Sequence, residues 1–253
     1  MKNLLLFNLI CISFLVKAQN VDTDTLESRA AIPVDMADFR SNTLRFSVGF
    51  RGGISKTRIN TTSGDVIQIT SNGTPVINGN GVARNELVSN TAFGNGYQGA
   101  IFARMISGSF YIQPEIIYGS KGGKFDFLNK NGDLLNRVDA KFTVIDVPLL
   151  IGIRFRDARI FLGPVVSYAL KKNSEFTAGL RPYTNDNLSK DFFKRLVFNT
   201  LIGIGFEFKS FFFDLRYEGG VANYAQRTLG PKNNPTNFSF NTDQFIFSIG
   251  FLN

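Results

Sequence analysis

Apolar and polar residues alternate with a period of two along eight stretches of the chain, which are 44–54, 96–106, 110–120, 141–154, 159–170, 196–208, 211–219 and 242–252. In the first stretch, Phe46 and Phe50 lie on one face of an extended chain and Arg51 lies on the other. Alternation over roughly ten residues is typical of strands that cross a membrane, with one face toward lipid and the other toward a barrel interior. The pattern therefore predicts eight transmembrane β-strands.

The segments between these stretches alternate in length. Three are short, at 107–109, 156–158 and 209–210, and four are long, at 55–95, 121–140, 171–195 and 220–241. Short periplasmic turns on one side and long extracellular loops on the other are a property of outer-membrane barrels. We therefore predict an all-β fold, an eight-stranded antiparallel up-and-down transmembrane β-barrel, with both termini on the short-turn side.

The composition of the apolar face separates this fold from a soluble β-sandwich or lipocalin-like barrel, which would show the same alternation with its apolar face inward. The chain has 27 Phe, and most of the alternating stretches place Phe on the apolar face. Tyrosines stand near the strand ends, like an interfacial girdle; they are Tyr97, Tyr118, Tyr168 and Tyr217. These features favour the membrane barrel.

The N-terminus has the pattern of an export signal. Lys2 precedes an apolar run from Leu4 to Val16, and Ala18 completes a cleavage site of the usual type. The run is too short to span a bilayer as a helix. We predict that 1–18 is a signal peptide, that 19–43 is a periplasmic N-terminal lead-in, and that 44–253 is the outer-membrane β-barrel domain.

The residue types exclude most enzyme chemistry. The chain has no His, which removes the Ser-His-Asp triad and His-ligated zinc, and its one cysteine, Cys11, lies in the predicted signal peptide. The segment 94–99 matches a dinucleotide-binding fingerprint, but a polar loop precedes it and a strand follows, whereas the mechanism needs a strand and then a helix. We predict a non-enzymatic protein without a catalytic, cofactor-binding or metal-binding residue.

Charged residues occupy the predicted inner face of the barrel. They are Arg45, Arg51, Arg104, Glu115, Asp146, Glu207, Asp214, Arg216 and Glu218. The interior of an eight-stranded barrel is just wide enough for side chains to fill, and a buried charge is costly unless it is paired. These residues therefore predict a lumen that is closed by a network of ion pairs. A narrow gated channel is the alternative.

Basic residues are frequent in the predicted outer loops and contribute to the formal net charge of +8. They are Lys121, Lys124, Lys130, Arg137, Lys171, Lys172, Arg181, Lys190, Lys194 and Arg195. Such groups can neutralise lipopolysaccharide phosphates, or they can simply keep the loops soluble. Outer-membrane lipid and lipopolysaccharide are the expected partners, together with a possible envelope protein. Nucleic acid is not expected, because an exported chain of this kind has no basic domain.

Four short motifs follow one another in a recognisable order. They are Gln113-Pro114-Glu115-Ile116-Ile117-Tyr118 with Lys121-Gly122 after it, Asp146-Val147-Pro148-Leu149-Leu150, Gly163-Pro164-Val165-Val166 and Asp214-Leu215-Arg216-Tyr217. In this order the motifs resemble the PorT-like outer-membrane β-barrel family over roughly 44–253. The resemblance implies the outer membrane of a Gram-negative bacterium. The chain departs from many barrel proteins in ending on Asn253, after Leu252, rather than on an aromatic residue.

The expected function follows from a closed barrel with long loops. We expect a structural role or a role in surface interaction through the four long loops. Two alternatives remain open, which are a small porin-like channel and an accessory subunit of a protein-secretion complex. The second alternative arises because the founding member of the PorT-like family is tied to protein secretion.

Overall fold

The computed structural model describes residues 44–79, 81–172, 174–184 and 196–253. The predicted signal peptide and lead-in lie outside the described residues. The chain forms twelve strands within these ranges, namely β1 (Arg45–Thr61), β2 (Gly64–Ile67), β3 (Ile77–Asn78), β4 (Gly81–Val82), β5 (Arg84–Ser107), β6 (Phe110–Leu128), β7 (Leu134–Phe155), β8 (Ala158–Lys172), β9 (Leu196–Phe208), β10 (Phe211–Gly220), β11 (Ala225–Leu229) and β12 (Thr236–Leu252). A helix, α1 (Ser174–Leu180), leads into a 3-10 turn at Arg181–Tyr183. None of the helices in the described ranges has the length and apolarity to cross a membrane.

Eight of the strands form a closed antiparallel ring in the order β1-β5-β6-β7-β8-β9-β10-β12. The ring closes where β12 pairs with β1, from Gly49 opposite Leu252 to Thr61 opposite Phe240. Each barrel strand therefore pairs with the barrel strand before it and the one after it in the chain. The predicted eight-stranded up-and-down architecture is confirmed.

Three tight turns join strands at one end of the ring, which we name the turn end. The turns carry backbone with positive φ at Gly108, Arg156 and Lys209. Two-residue hairpins need this left-handed conformation because it matches the twist of the flanking strands. Glycine adopts it freely, whereas at Arg156 and Lys209 the side chain makes it costly.

Most of the barrel strands extend beyond the predicted alternating stretches, and the bounds of the long loops are corrected. β5 has 24 residues, β6 has 19 and β7 has 22. Most of the predicted loop 121–140 is therefore strand, and the connection between β6 and β7 is a turn at 129–133. The side chain of Asn129 holds this turn by accepting hydrogen bonds from the backbone N–H groups of Asn131 and Asp133, each at 2.8 Å.

The predicted apolar faces point away from the interior. Large apolar side chains on the outer surface remain exposed, for example Phe46 at 66%, Ile101 at 62% and Leu162 at 60% of their surface. A water-soluble monomer does not expose a continuous apolar belt of this kind. The belt matches the lipid-facing surface of a membrane barrel.

Candidate functional site: the barrel interior

Charged and polar residues fill the interior nearest the turn end, which we name the lower lumen. Its members are Arg51, Arg104, Gln113, Glu115, Arg159, Glu207, Asp214 and Arg216. They lie on inward-facing positions of β1, β5, β6, β8, β9 and β10, so the closure of the ring brings together residues that are far apart in the chain.

Arg216 is at the centre of the lower lumen. Its guanidinium contacts Glu115 Oε2 at 2.8 Å and Asp214 Oδ2 at 2.7 Å. Arg51 contacts the same Glu115 oxygen at 2.9 Å. All four side chains in this group have no exposed surface. Each buried carboxylate is therefore held by at least one guanidinium, as a low-dielectric interior requires.

A second group continues the network toward the turn end. Arg159 contacts Asp214 Oδ1 at 2.5 Å and Glu207 Oε1 at 3.3 Å. Arg104 also pairs with Glu207, and it donates a hydrogen bond to Gln113 Oε1. Asp214 thus links the two groups into one network, because it contacts both Arg159 and Arg216.

Aromatic rings pack against the guanidinium groups of this network. The Cζ atom of Arg159 lies 4.8 Å from the centre of the Phe212 ring, and that of Arg216 lies 5.0 Å from the centre of the Phe161 ring. Such contacts favour Arg over Lys, because a planar guanidinium stacks on a ring while its edges make hydrogen bonds.

One lysine forms a separate site farther from the turn end, which we name the buried lysine site. Its members are Lys121, Asp146, Ser167, Asn199, Glu218 and Tyr224. The Nζ atom of Lys121 lies 2.9 Å from Asp146 Oδ2 and also contacts Glu218 Oε1. Asn199 Nδ2 donates to the same Glu218 oxygen at 2.7 Å.

Apolar side chains fill the interior at the opposite end, where the long connections lie. We name this cluster the aromatic core; it consists of Ile59, Val66, Leu87, Phe125, Phe127, Val138, Ala140, Phe142, Val144, Phe176, Leu180, Tyr183, Val197, Tyr224, Ala225, Leu229, Phe238 and Phe240. Phe125 is central, with its ring centre within 6.1 Å of the ring centres of Phe127, Phe176 and Phe238.

Helix α1 and the 3-10 turn after it pack side chains into the aromatic core. Phe176, Leu180 and Tyr183 are buried there. The Tyr183 ring stacks on Phe127 with a centre-to-centre distance of 4.2 Å, and its hydroxyl accepts a hydrogen bond from Asn85 at 2.6 Å. Burial raises the pKa of Tyr183 above its ordinary value.

The structure places most of the predicted lumen charges in two groups. Six of them lie in the lower lumen, and they are Arg51, Arg104, Glu115, Glu207, Asp214 and Arg216. Asp146 and Glu218 belong instead to the buried lysine site. The assignment of Arg45 is wrong. It begins β1 at the turn end, its side chain is exposed, and no ion pair joins it to another described residue.

Two basic residues of the interior were not predicted from the sequence. Lys121 was predicted in an outer loop, and Arg159 was left out of the charge network, yet both are buried and ion-paired. The signal for Lys121 was its spacing, because it lies six positions after Glu115 and an even offset keeps the same face of a strand.

A closed eight-stranded ring with an apolar outer surface and an ion-paired interior defines an outer-membrane β-barrel protein. In agreement, the chain belongs to the family described as "Outer membrane protein beta-barrel domain", whose model matches residues 28–226. This family membership assigns the protein to the outer membrane.

Comparison with curated proteins finds no match. Among solved structures, the chain is similar to the outer membrane protein OprG from Pseudomonas aeruginosa, with 11% identity, a TM-score of 0.49, and coverage of 84% of this chain and 98% of OprG. It is also similar to a deltaS2 mutant of the TodX monoaromatic hydrocarbon channel, with 7% identity, a TM-score of 0.20, and coverage of 85% of this chain and 91% of the channel.

Proposed function

We propose that the protein is a non-enzymatic outer-membrane barrel whose lumen is closed to ions and solutes and which acts through the end that carries its long connections. The observation that carries this proposal is the filling of the interior along its length. Ion pairs occupy the lower lumen, the buried lysine site follows, and the aromatic core occupies the far end.

The tight fit of the lower lumen supports closure. A Cβ atom added at Gly152 would overlap the ring of Tyr111, and one added at Gly250 would overlap the ring of Phe212. Inward-facing glycines at these positions leave room for the aromatic and guanidinium groups. A water-filled pore would not require such close approach, because solvent could move aside.

The cost of opening supports closure as well. A path through the lower lumen would have to separate Arg216 from Glu115 or Asp214, and each separated charge would remain in a low-dielectric interior. At the other end, a path would have to remove Phe176 and Leu180 of α1 from the aromatic core. Neither step is favourable without an external source of binding energy.

Planar-bilayer recording of the purified protein tests the closed lumen. We expect no steady single-channel current, while a porin reconstituted in parallel conducts. Large and steady currents from the unmodified protein would contradict the proposal and favour the porin-like channel.

The orientation is tested by cysteine labelling on whole cells. Cys11 is the one cysteine of the chain and lies in the predicted signal peptide, so a single introduced cysteine is unique after export. Cysteines at Asn72, in the long connection between β1 and β5, and at Lys130, in the turn at 129–133, should react with an impermeant thiol reagent. A cysteine at Ser210, in a tight turn of the turn end, should not. The reverse pattern would place the long connections in the periplasm and remove surface interaction from the proposal.

The PorT-like resemblance is the specific observation that favours a second candidate, an accessory subunit of a protein-secretion complex. Polar residues of the motifs, including Glu115, Lys121, Asp146 and Arg216, all belong to the interior clusters. Affinity purification of the detergent-extracted protein tests it. A stable envelope protein partner would support the accessory subunit, and recovery of the barrel with only lipid and lipopolysaccharide would support the stand-alone barrel.

A further inference from the structure

The buried lysine site combines groups that the closed-lumen function does not require. Lys121 extends from β6, Asp146 lies on the neighbouring strand β7, and Glu218 comes from β10. The side chains of these three residues expose only 2%, 4% and 3% of their surface. One ammonium and two carboxyl groups therefore meet in a space from which bulk water is excluded.

The charges of this site do not balance if all three groups are ionised. Among the described residues, Asp146 and Glu218 each pair with Lys121 and with no other cation. Two carboxylates that share one ammonium favour retention of a proton, because like charges in a buried site raise each other's free energy. Asp146 Oδ1 has no hydrogen-bond partner among the described residues, although it is buried.

We propose that Lys121 and Asp146 form an intramolecular isopeptide bond after folding, with Glu218 as the proton carrier. The Lys121 ammonium gives a proton to Glu218, and the free amine attacks Cγ of Asp146. The departing Asp146 oxygen receives this proton from Glu218 and a second proton from the attacking nitrogen, and it leaves as water. The new bond is Nζ–Cγ, the broken bond is Cγ–O, and one ammonium and one carboxylate become one amide and one water molecule without any oxidant or co-reactant.

The geometry of the site assigns the two carboxyl groups to different roles. Glu218 is held in place by Asn199 through a hydrogen bond of 2.7 Å, which suits a group that only transfers protons. The Asp146 carboxyl has one oxygen against the lysine and one without a partner, so its carbon is accessible to the amine. Proximity of this kind converts a slow bimolecular condensation into an intramolecular one.

The surroundings favour the amide over the ion pair. The ring of Phe142 lies next to Tyr224 with a centre distance of 4.9 Å, and Tyr224 contacts the lysine. A neutral amide costs less than two charges in such an apolar environment, and exclusion of water protects the product from hydrolysis. The bond would join β6 to β7 covalently, in addition to their backbone ladder.

Tryptic peptide mapping of the purified, folded protein tests the proposal. Cleavage should not occur at Lys121, and the peptide 105–124 should be recovered joined to the peptide 142–154, lighter than the sum of the two by one water molecule. Recovery of both peptides unlinked, with cleavage after Lys121, would overturn the proposal. A link from Lys121 to the Glu218 peptide 217–227, or to the Asn199 peptide 196–209 with loss of ammonia, would also overturn it.

Two variants distinguish the reaction from a structural role of the same residues. Glu218→Gln preserves the shape of the site but cannot carry the proton, so the unlinked peptides should be recovered from folded barrel. Lys124→Arg, a change at a partly exposed position three residues from Lys121, should leave the link intact. A full yield of the link in Glu218→Gln would contradict the assignment of Glu218.

Discussion

The lower lumen and the aromatic core are built on the same strands with opposite chemistry. Near the turn end, β6 places Glu115 inward and Ile116 outward. Farther along the same strand, Phe125 points inward and Lys124 is partly exposed. The same alternate positions of the strand point inward along its whole length. Near the turn end the residues at these positions are polar, and farther along they are apolar.

The reversal follows from what surrounds each region. A strand in lipid presents apolar side chains outward and leaves polar groups for the interior, where they must pair with each other. A strand beyond the lipid contacts water on its outer face, so its apolar side chains stabilise the interior as in a soluble barrel. The outer surface at this level accordingly carries ion pairs, such as Arg58 with Asp243 at 3.2 Å.

The two regions should respond differently to substitution. Ion pairs in the lower lumen depend on each partner, because removing one leaves the other buried and unpaired. Apolar contacts in the aromatic core depend on volume, so loss of one side chain removes only its own contacts and leaves a cavity.

The largest effect is expected from Arg216→Met. Methionine fills similar space but leaves Glu115 without one of its two guanidinium partners and Asp214 with Arg159 alone. We expect a loss of about 3–5 kcal/mol in the free energy of unfolding. Urea unfolding of the protein in detergent, followed by circular dichroism, measures this free energy. A loss comparable with that of an exposed substitution would mean that the lower lumen is not held by its charges.

A smaller effect is expected from Leu180→Ala in the aromatic core. The side chain is completely buried at the end of α1, and its loss creates a cavity without leaving a charge. We expect a loss of about 2–3 kcal/mol in the free energy of unfolding. The same unfolding experiment measures it, and an unchanged stability would show that α1 does not contribute to the core.

Arg58→Met is the matched control for Arg216→Met. Arg58 pairs with Asp243 on the outer surface, where its side chain is 39% exposed. Asp243 keeps partial access to solvent when the guanidinium is removed, with 19% of its side chain exposed, so the expected loss is about 0–1 kcal/mol. If this variant were as unstable as Arg216→Met, burial would not explain the difference between inner and outer ion pairs.

The smallest effect, and one of opposite sign, is expected from Lys209→Asn at the turn end. Lys209 has a φ of 54°, and asparagine tolerates this left-handed conformation better than lysine does. We expect a gain of about 0.5 kcal/mol in the free energy of unfolding. Lys209→Val, with a β-branched side chain at the same φ, should be destabilising; a gain in that variant would exclude backbone strain as the cause.

Much of the membrane part of the fold was determined by local sequence. The alternation of residues such as Phe46 and Arg51 identifies strands and their outward faces, and the short turns identify neighbouring strands. These features depend on the geometry of one strand and on the properties of lipid, so no information about distant residues is needed. Six of the seven charged residues of the lower lumen were predicted for the same reason, and Arg159 was not.

Only the tertiary structure decided which interior residues meet and where the strands end. The alternation is reversed around Phe125, and a rule that places the apolar face outward everywhere predicts a loop there. The same rule places Lys121 outside, although the closed ring brings this lysine against Asp146 and Glu218. Contacts across a barrel depend on the register of all eight strands, and register is a property of the closed sheet rather than of any one segment.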